Sequence, residues 1–206
     1  MNTSTIARRV NFAAQLIVFM GFVSAFWYRN WFVGIACIGI LMLMNVPLRI
    51  RRSVPIPLSP NTRVLMSLLL FAWLFLGELQ DYFGQIVWWD LFLHGFAGAV
   101  IALVGVRFGN TMTADDSGSL CIRYAFAGAF GFSLAMAVGS LWEVLEFAID
   151  KLFDREILKP MLGDSSGLTD TIFDLVADAL GALLACVYGL FRLYRTRVHA
   201  HLSRGT

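Results

Sequence analysis

The sequence predicts an all-α membrane protein, a polytopic transmembrane helical bundle of about six spans. Of its 206 residues, 58% are hydrophobic and only 15% are charged, which excludes an ordinary soluble domain. A span needs about 20 mostly apolar residues to cross a hydrocarbon core of about 30 Å. The apolar runs allow six crossings, at about 10–28, 31–48, 62–80, 88–108, 121–149 and 168–192.

The breaks between the first three spans differ in strength. The segment 45–61 contains four prolines, which remove helix donors and clash with the preceding turn, so it separates two spans clearly. The break at Tyr28-Arg29-Asn30 is only a few residues long, and it leaves open a tight helical hairpin or one interrupted segment. Because no repeat or low-complexity tract is present, we predict a single integral membrane domain over 1–206.

The cationic residues predict the orientation, because Lys and Arg collect in cytoplasmic loops. Twelve of the 16 lie on one side of the predicted spans and four on the other, which places both termini in the cytoplasm. The basic tail over about 193–206 is then a topology anchor near anionic lipid, rather than a nucleic-acid-binding segment. The chain is predicted to be a multi-pass protein of the cell inner (cytoplasmic) membrane, in contact with membrane lipids and not with nucleic acid.

Acidic residues follow the opposite distribution. Of the 14, only Asp115 and Asp116 are predicted on the cytoplasmic side. Acids contribute little to orientation, so targeting does not account for this asymmetry. The other twelve belong to outer loops or to the outer halves of spans, and they are Glu78, Asp81, Asp90, Glu143, Glu146, Asp150, Asp154, Glu156, Asp164, Asp170, Asp174 and Asp178.

Three predicted spans each place ionisable residues on one helical face. Asp90 and His94 are four residues apart in the fourth span. Glu143, Glu146 and Asp150 share one face of the fifth span, and the sixth begins with Asp170, Asp174 and Asp178, a stripe roughly 12 Å long. These faces can meet in the outer half of the membrane.

An ionisable group at the centre of a span costs roughly 2.5–3.5 kcal/mol, so converging carboxylates need water, protons or a bound cation. Simpler roles exist for some of them. Asp170 can cap the last helix, and Glu146 and Asp150 can be solvated at the interface. Asp90 can be interfacial, and a lone His94 can be a core histidine. Asp174 and Asp178 lie too far into the helix for capping.

The small residues have a packing explanation. Ala177, Gly181, Ala185 and Gly189 recur every four residues, a pattern that lets a neighbouring backbone approach closely. The same role is predicted for Gly95, Gly98, Gly128, Gly131 and Gly139.

The ordered segments WWDLFLHGFAG, SLWEVLEFAID and LTDTIFDLVADALGALLA resemble the YjdF-type family of uncharacterised bacterial inner-membrane proteins and, more distantly, the VanZ-like superfamily. The VanZ-like pattern has an acid and a His early in one helix, a Glu in the next and D-x3-N-x2-G in the last. Asp90/His94, Glu143 and Asp174-x3-Asp178-x2-Gly181 occupy the matching places, within a core of about 85–192. Asp178 replaces the usual Asn, Glu146 replaces a common Gln, and no Arg shortly precedes Asp170. The VanZ-like resemblance implies chemistry at the cell envelope.

Carboxylates with one imidazole suit Mg²⁺, Mn²⁺ or Zn²⁺. We predict a divalent-metal site with the ligands Asp90, His94, Glu143, Glu146, Asp174 and Asp178, and His94 and Glu143 as the catalytic residues. The predicted reaction is hydrolysis or transfer on a lipid-linked phosphate, with a lipid phosphate as the substrate partner. Two alternatives stay open: a cation- or proton-binding transporter, and a non-catalytic structural or regulatory membrane protein.

The predicted orientation can be tested with alkaline phosphatase, which is active only outside the cytoplasm. We expect active fusions after Asp81 and inactive fusions after Thr113 and after the C-terminus, because the cation distribution puts the last two inside. A cytosolic reporter at the same three junctions is the matched control. The reverse pattern of activity would contradict this topology.

Overall fold

A computed structural model of the chain describes residues 3–49, 58–113, 119–153 and 166–202, and all regular structure in these ranges is helical. Six helical segments are long and apolar enough to cross a membrane, as the sequence predicts. The helices are α1 (Thr3–Trp27), α2 (Trp31–Arg49), α3 (Pro60–Leu70) with a π-helical continuation (Phe71–Leu79), α4 (Tyr82–Gln85), α5 (Trp89–Met112), α6 (Leu120–Phe153) and α7 (Leu168–Leu202).

The first two spans form a tight hairpin, which decides between the two interpretations of the break near Arg29. Arg29 takes the left-handed conformation with φ of 56°. The N–H of Arg29 donates to the Phe26 carbonyl at 3.2 Å, and that of Asn30 donates to the Ala25 carbonyl at 2.8 Å. This is a Schellman ending with Arg in the position that usually holds Gly, and it terminates α1.

The proline-rich break begins later than residue 45. Pro47 lies inside the last turn of α2, which continues to Arg49, because near a helix end the missing proline N–H costs a single hydrogen bond. Residues 50–57 of the predicted break lie outside the described part of the chain. The next helix begins at Pro60, where the Ser59 hydroxyl accepts from the Thr62 N–H at 3.1 Å as an N-cap.

Two elements near the third span were not predicted. After Leu70 the helix widens into nine π-helical residues, which end where the Gln80 N–H donates to the Phe75 carbonyl at 3.0 Å. The sequence FAWLFLGEL is apolar on almost every side, so its pattern does not distinguish a π-helix from an α-helix. The short helix α4 follows.

The last two helices extend beyond their predicted ends. Predicted to stop at 149 and 192, α6 continues to Phe153 and α7 to Leu202. Most of the predicted tail is therefore helical, and residues 203–206 lie outside the described part. Arg195 and Arg197 are exposed and good helix formers, so polarity there does not end the helix.

The chain divides into two compact units, with the boundary between Leu93 and His94 inside α5. In the first unit, α1, α2 and the π-helical segment share an apolar core that contains Val18, Cys37, Met44 and Phe75. In the second unit, α5, α6 and α7 share a core of small residues: Ala102, Val106, Ala127, Ala135, Ala182, Ala185 and Cys186.

Glycines let the three helices of the second unit approach to backbone contact, as the small-residue pattern predicts. A Cβ added at Gly181 would collide with the carbonyl oxygen of Gly95, and one at Gly98 with the Asp178 backbone. Gly105 and Gly131 bring α5 against α6 in the same way, with 2.6 Å between an added Cβ at Gly105 and the Gly131 Cα. Because backbone cannot rotate away, these positions set the helix spacing.

We expect Gly181→Ala to destabilise the protein by about 1–3 kcal/mol, because α5 and α7 must separate. The matched control is Gly39→Ala, where an added Cβ meets nothing within 4 Å. There alanine removes the entropic penalty of helical glycine, a gain of about 0.5–1 kcal/mol. Thermal unfolding in detergent measures both, and equal effects of the two variants would contradict the assigned contact.

Candidate functional site

The centre of the candidate site is His94, in the second turn of α5. Its side chain is buried, and Nδ1 lies 3.2 Å from Oδ2 of Asp178 on α7, within hydrogen-bond distance. Nε2 lies 3.6 Å from Oε1 of Glu143 on α6. One imidazole thus faces carboxylates from both neighbouring helices of the unit.

Asp174 adds a second carboxylate from α7. One ligand atom each of His94, Glu143 and Asp174 can be chosen so that all three lie within 4.8 Å of one another. The four side chains, hereafter the acidic cluster (His94, Glu143, Asp174 and Asp178), are deeply buried, with residue exposures of 7%, 5%, 3% and 2%. The structure therefore brings together four of the six residues predicted as metal ligands.

Gly139 leaves the space that the Asp178 carboxylate occupies. A Cβ at Gly139 on α6 would collide with Oδ2 of Asp178, the oxygen that also faces His94. Gly139 lies four residues before Glu143, so the two positions share a helical face. The sequence pattern predicts only a packing role for Gly139. Its four-residue spacing from Glu143 is the feature of the sequence that could have placed Gly139 beside the site.

The other two predicted ligands are Asp90 and Glu146. Glu146 is half-buried and accepts a hydrogen bond from Trp142 Nε1 at 2.7 Å. Asp90 belongs to the first unit and is half-buried in the first turn of α5, one turn ahead of His94. Asp170 is in the first turn of α7, as expected, but only 3% of the residue is exposed. One of its carboxylate oxygens lies within 4.8 Å of a carboxylate oxygen of Asp174. The ligand roles of all six predicted residues stay predictions.

The charge balance of the acidic cluster requires bound protons or a bound cation. Three carboxylates carry a formal charge of −3, of which one protonated imidazole can offset only one unit. Two ligands about 2.1 Å from one metal ion lie about 3.0–3.4 Å apart, close to the 3.6 Å between Nε2 of His94 and Oε1 of Glu143. The geometry is therefore compatible with a shared divalent ion after small side-chain shifts.

The acidic cluster is well separated from the arginines of the same helices. Arg107 follows His94 by thirteen positions on α5, and Arg192 follows Asp178 by fourteen positions on α7. At a rise of 1.5 Å per residue, both intervals are about 20 Å. Neither interval contains Asp, Glu, His, Lys or Arg. On each helix, an uncharged stretch therefore separates the acidic cluster from the arginine.

We expect Gly139→Ala to displace the Asp178 carboxylate and break its hydrogen bond to His94. Nitrogen NMR of the imidazole reports that bond, and replacing His199 and His201 with Gln leaves His94 as the sole histidine. The control is Gly128→Ala on the same helix, whose Cβ would come 3.0 Å from a flexible Leu190 methyl group. An unchanged His94 spectrum in the Gly139 variant would contradict the assigned contact between Gly139 and the Asp178 carboxylate.

Comparison with known proteins gives relatives without an assigned activity. An uncharacterized protein of Thermotoga maritima is 28% identical over 121 residues, which make up 59% of this chain and 57% of that protein. The match thus spans little more than half the length of that relative. No solved structure matches the chain.

A family model described as a predicted membrane protein, DUF2238, matches residues 8–195. This range includes the whole acidic cluster and the six helical segments capable of crossing a membrane, apart from residues 5–7 of the first and 196–197 of the last. The chain belongs to the DUF2238 family of predicted membrane proteins.

Proposed function

We propose that the protein is a divalent-metal-dependent enzyme of the bacterial inner membrane that hydrolyses or transfers a lipid-linked phosphate at the outer face. The observation that carries this proposal is the buried grouping of His94, Glu143 and Asp174, whose ligand atoms lie within 4.8 Å of one another. An imidazole and two carboxylates suit Mn²⁺ and Zn²⁺, and the carboxylates suit Mg²⁺.

The geometry supports a change in the role of Asp178 from ligand to positioning residue. Asp178 faces Nδ1 of His94, which leaves Nε2 toward Glu143. A carboxylate on the far nitrogen fixes the tautomer and orientation of a metal-binding histidine. In this assignment Nε2 of His94, Glu143 and Asp174 hold the ion, and Asp178 holds the histidine.

Three protein ligands leave coordination positions for a phosphate oxygen and a water. The ion would polarise the phosphorus–oxygen bond and lower the pKa of the water. In the sequence analysis His94 and Glu143 were the catalytic pair; here both act as ligands, and Glu143 has a second oxygen that can accept the proton of the attacking water. The VanZ-like resemblance of the core agrees with an envelope substrate.

The same residues would serve a transporter that carries protons or a cation, and His94 between two carboxylates is suited to proton exchange. The charge distribution favours the enzyme. A path across the membrane needs further polar groups, whereas about 20 Å of α5 and α7 beyond the acidic cluster has no charged residue. A one-sided site is sufficient for chemistry on a lipid headgroup.

Metal analysis of the detergent-purified protein tests the site. We expect one divalent ion per chain in the wild type and none in Asp174→Asn, because that variant loses an anionic ligand. Glu146→Gln is the matched control, since it removes the same charge from a residue that bonds Trp142, and it should keep the ion. A folded wild type that holds no metal and takes up none of Mg²⁺, Mn²⁺ and Zn²⁺ would exclude a metal enzyme.

The variant Asp178→Asn distinguishes a positioning role of Asp178 from a role as metal ligand. As a positioning residue, Asp178 should keep metal binding possible but weaken the affinity about 10–100-fold, the usual cost of losing a histidine's outer partner. Metal titration of this variant beside Asp174→Asn gives the comparison. Complete loss of the ion in both would make Asp178 a ligand instead.

Activity assays then separate enzyme from transporter. Phosphate release from polyprenyl and glycerolipid phosphates in mixed micelles should require the metal and Asp174. Proteoliposomes prepared from the same protein should show no metal-dependent or proton flux. Flux without phosphate release would favour the transporter.

A further inference from the structure

A pair of arginines, one on α5 and one on α7, lies about 20 Å along the helices from the acidic cluster. Arg107 is half-buried on α5, and Arg192 is exposed on α7. Arg107 directly follows Val106 on α5, and Tyr188 and Arg192 lie within one turn of Gly189 on α7, which packs against Val106, so the two like charges lie beside one α5–α7 contact. Tyr188 and Arg192 are four residues apart, so they share one face of α7.

Close helix packing holds the two arginines together. An added Cβ at Gly189 on α7 would come 3.3 Å from a methyl group of Val106, the residue before Arg107 on α5. Val106 is itself fully buried in the core of the second unit. Because the backbone spacing is set there, the backbone positions of the two arginines cannot separate without disrupting that core.

Neither guanidinium has a carboxylate or hydrogen-bonding partner among the residues that the structure describes. A third arginine of this end, Arg123 on α6, differs because its Nη2 donates to the Asn110 carbonyl at 3.2 Å and to the Asn110 side chain at 3.4 Å. Asp115 and Asp116, which follow α5 in sequence, lie outside the described residues. Arg107 and Arg192 thus form a cationic pair whose mutual repulsion an anion would relieve.

The chemistry of the pair selects a phosphate. Guanidinium groups bind phosphate oxygens through parallel N–H donors, and basic pockets between transmembrane helices hold anionic lipid headgroups. A phenol hydroxyl supplies one more donor. The pair lies near the end of two spans, where a lipid headgroup is the phosphate that is always present.

We propose that Arg107, Arg192 and Tyr188 form a binding site for the phosphate of an anionic phospholipid. This site is separate from the acidic cluster in both position and charge. It gives the α5–α7 pair a bound lipid that offsets the charge of two clustered arginines.

Thermal unfolding of the full-length protein in detergent tests the proposal, with phosphatidylglycerol as the probe. We expect phosphatidylglycerol to raise the Tm of the wild type, whereas phosphatidylcholine and inorganic phosphate do not. Arg107→Gln and Arg192→Gln should each weaken the apparent lipid affinity about tenfold or more, the effect of losing a hydrogen bond to a charged phosphate group. In lipid-free detergent neither variant should have a lower Tm, because each removes a repulsion.

Arg195→Gln and Arg197→Gln are the matched controls, since they remove the same charge from exposed positions of the same helix. They should retain the wild-type response to phosphatidylglycerol. Equal losses in all four variants would reduce the effect to general electrostatic attraction and overturn the site. Stabilisation by inorganic phosphate equal to that by phosphatidylglycerol would overturn the lipid as the ligand, and no response of the wild type would overturn both.

Discussion

The second unit depends on the contact between backbones of adjacent helices. The Asp178 carboxylate reaches His94 only because Gly139 leaves the space that its Oδ2 occupies, and α7 reaches α5 only because Gly98 and Gly181 have no side chain. In an apolar membrane, lipid tails compete with side-chain packing, so close van der Waals contact is the main force that holds such helices together. The packing that stabilises the unit also shapes its polar interior.

The second unit carries charges of opposite sign at two levels along its helices. The acidic cluster has three carboxylates and one imidazole, whereas the other level has arginines from all three helices. Each excess of like charge is costly in a low-dielectric surrounding and can be relieved by a ligand of the opposite sign, for which we propose a divalent cation at one level and a phosphate at the other. Both proposals follow from the same electrostatic argument, and they can fail separately because they share no residue.

Much of this arrangement could be predicted from the sequence. Apolar runs gave six spans because composition decides what a bilayer accepts, and the four-residue spacing of Asp174 and Asp178 identified the polar face of α7. Spacing does not reveal which carboxylate faces which nitrogen of His94, since that depends on the relative rotation of three helices. The π-helical segment and the helical tail past residue 192 escaped prediction, because neither has a break or a periodicity of its own.

The interval between the acidic cluster and the arginines has a consequence for the surrounding lipid. At about 20 Å it is shorter than a hydrocarbon core of about 30 Å, and arginine side chains that extend toward the headgroups make up only part of the difference. If Arg107 and Arg192 stay at one membrane interface, the acidic cluster lies inside the hydrocarbon core, short of the opposite interface, unless the bilayer thins beside α5 and α7. Such thinning would bring lipid headgroups toward the depth of His94.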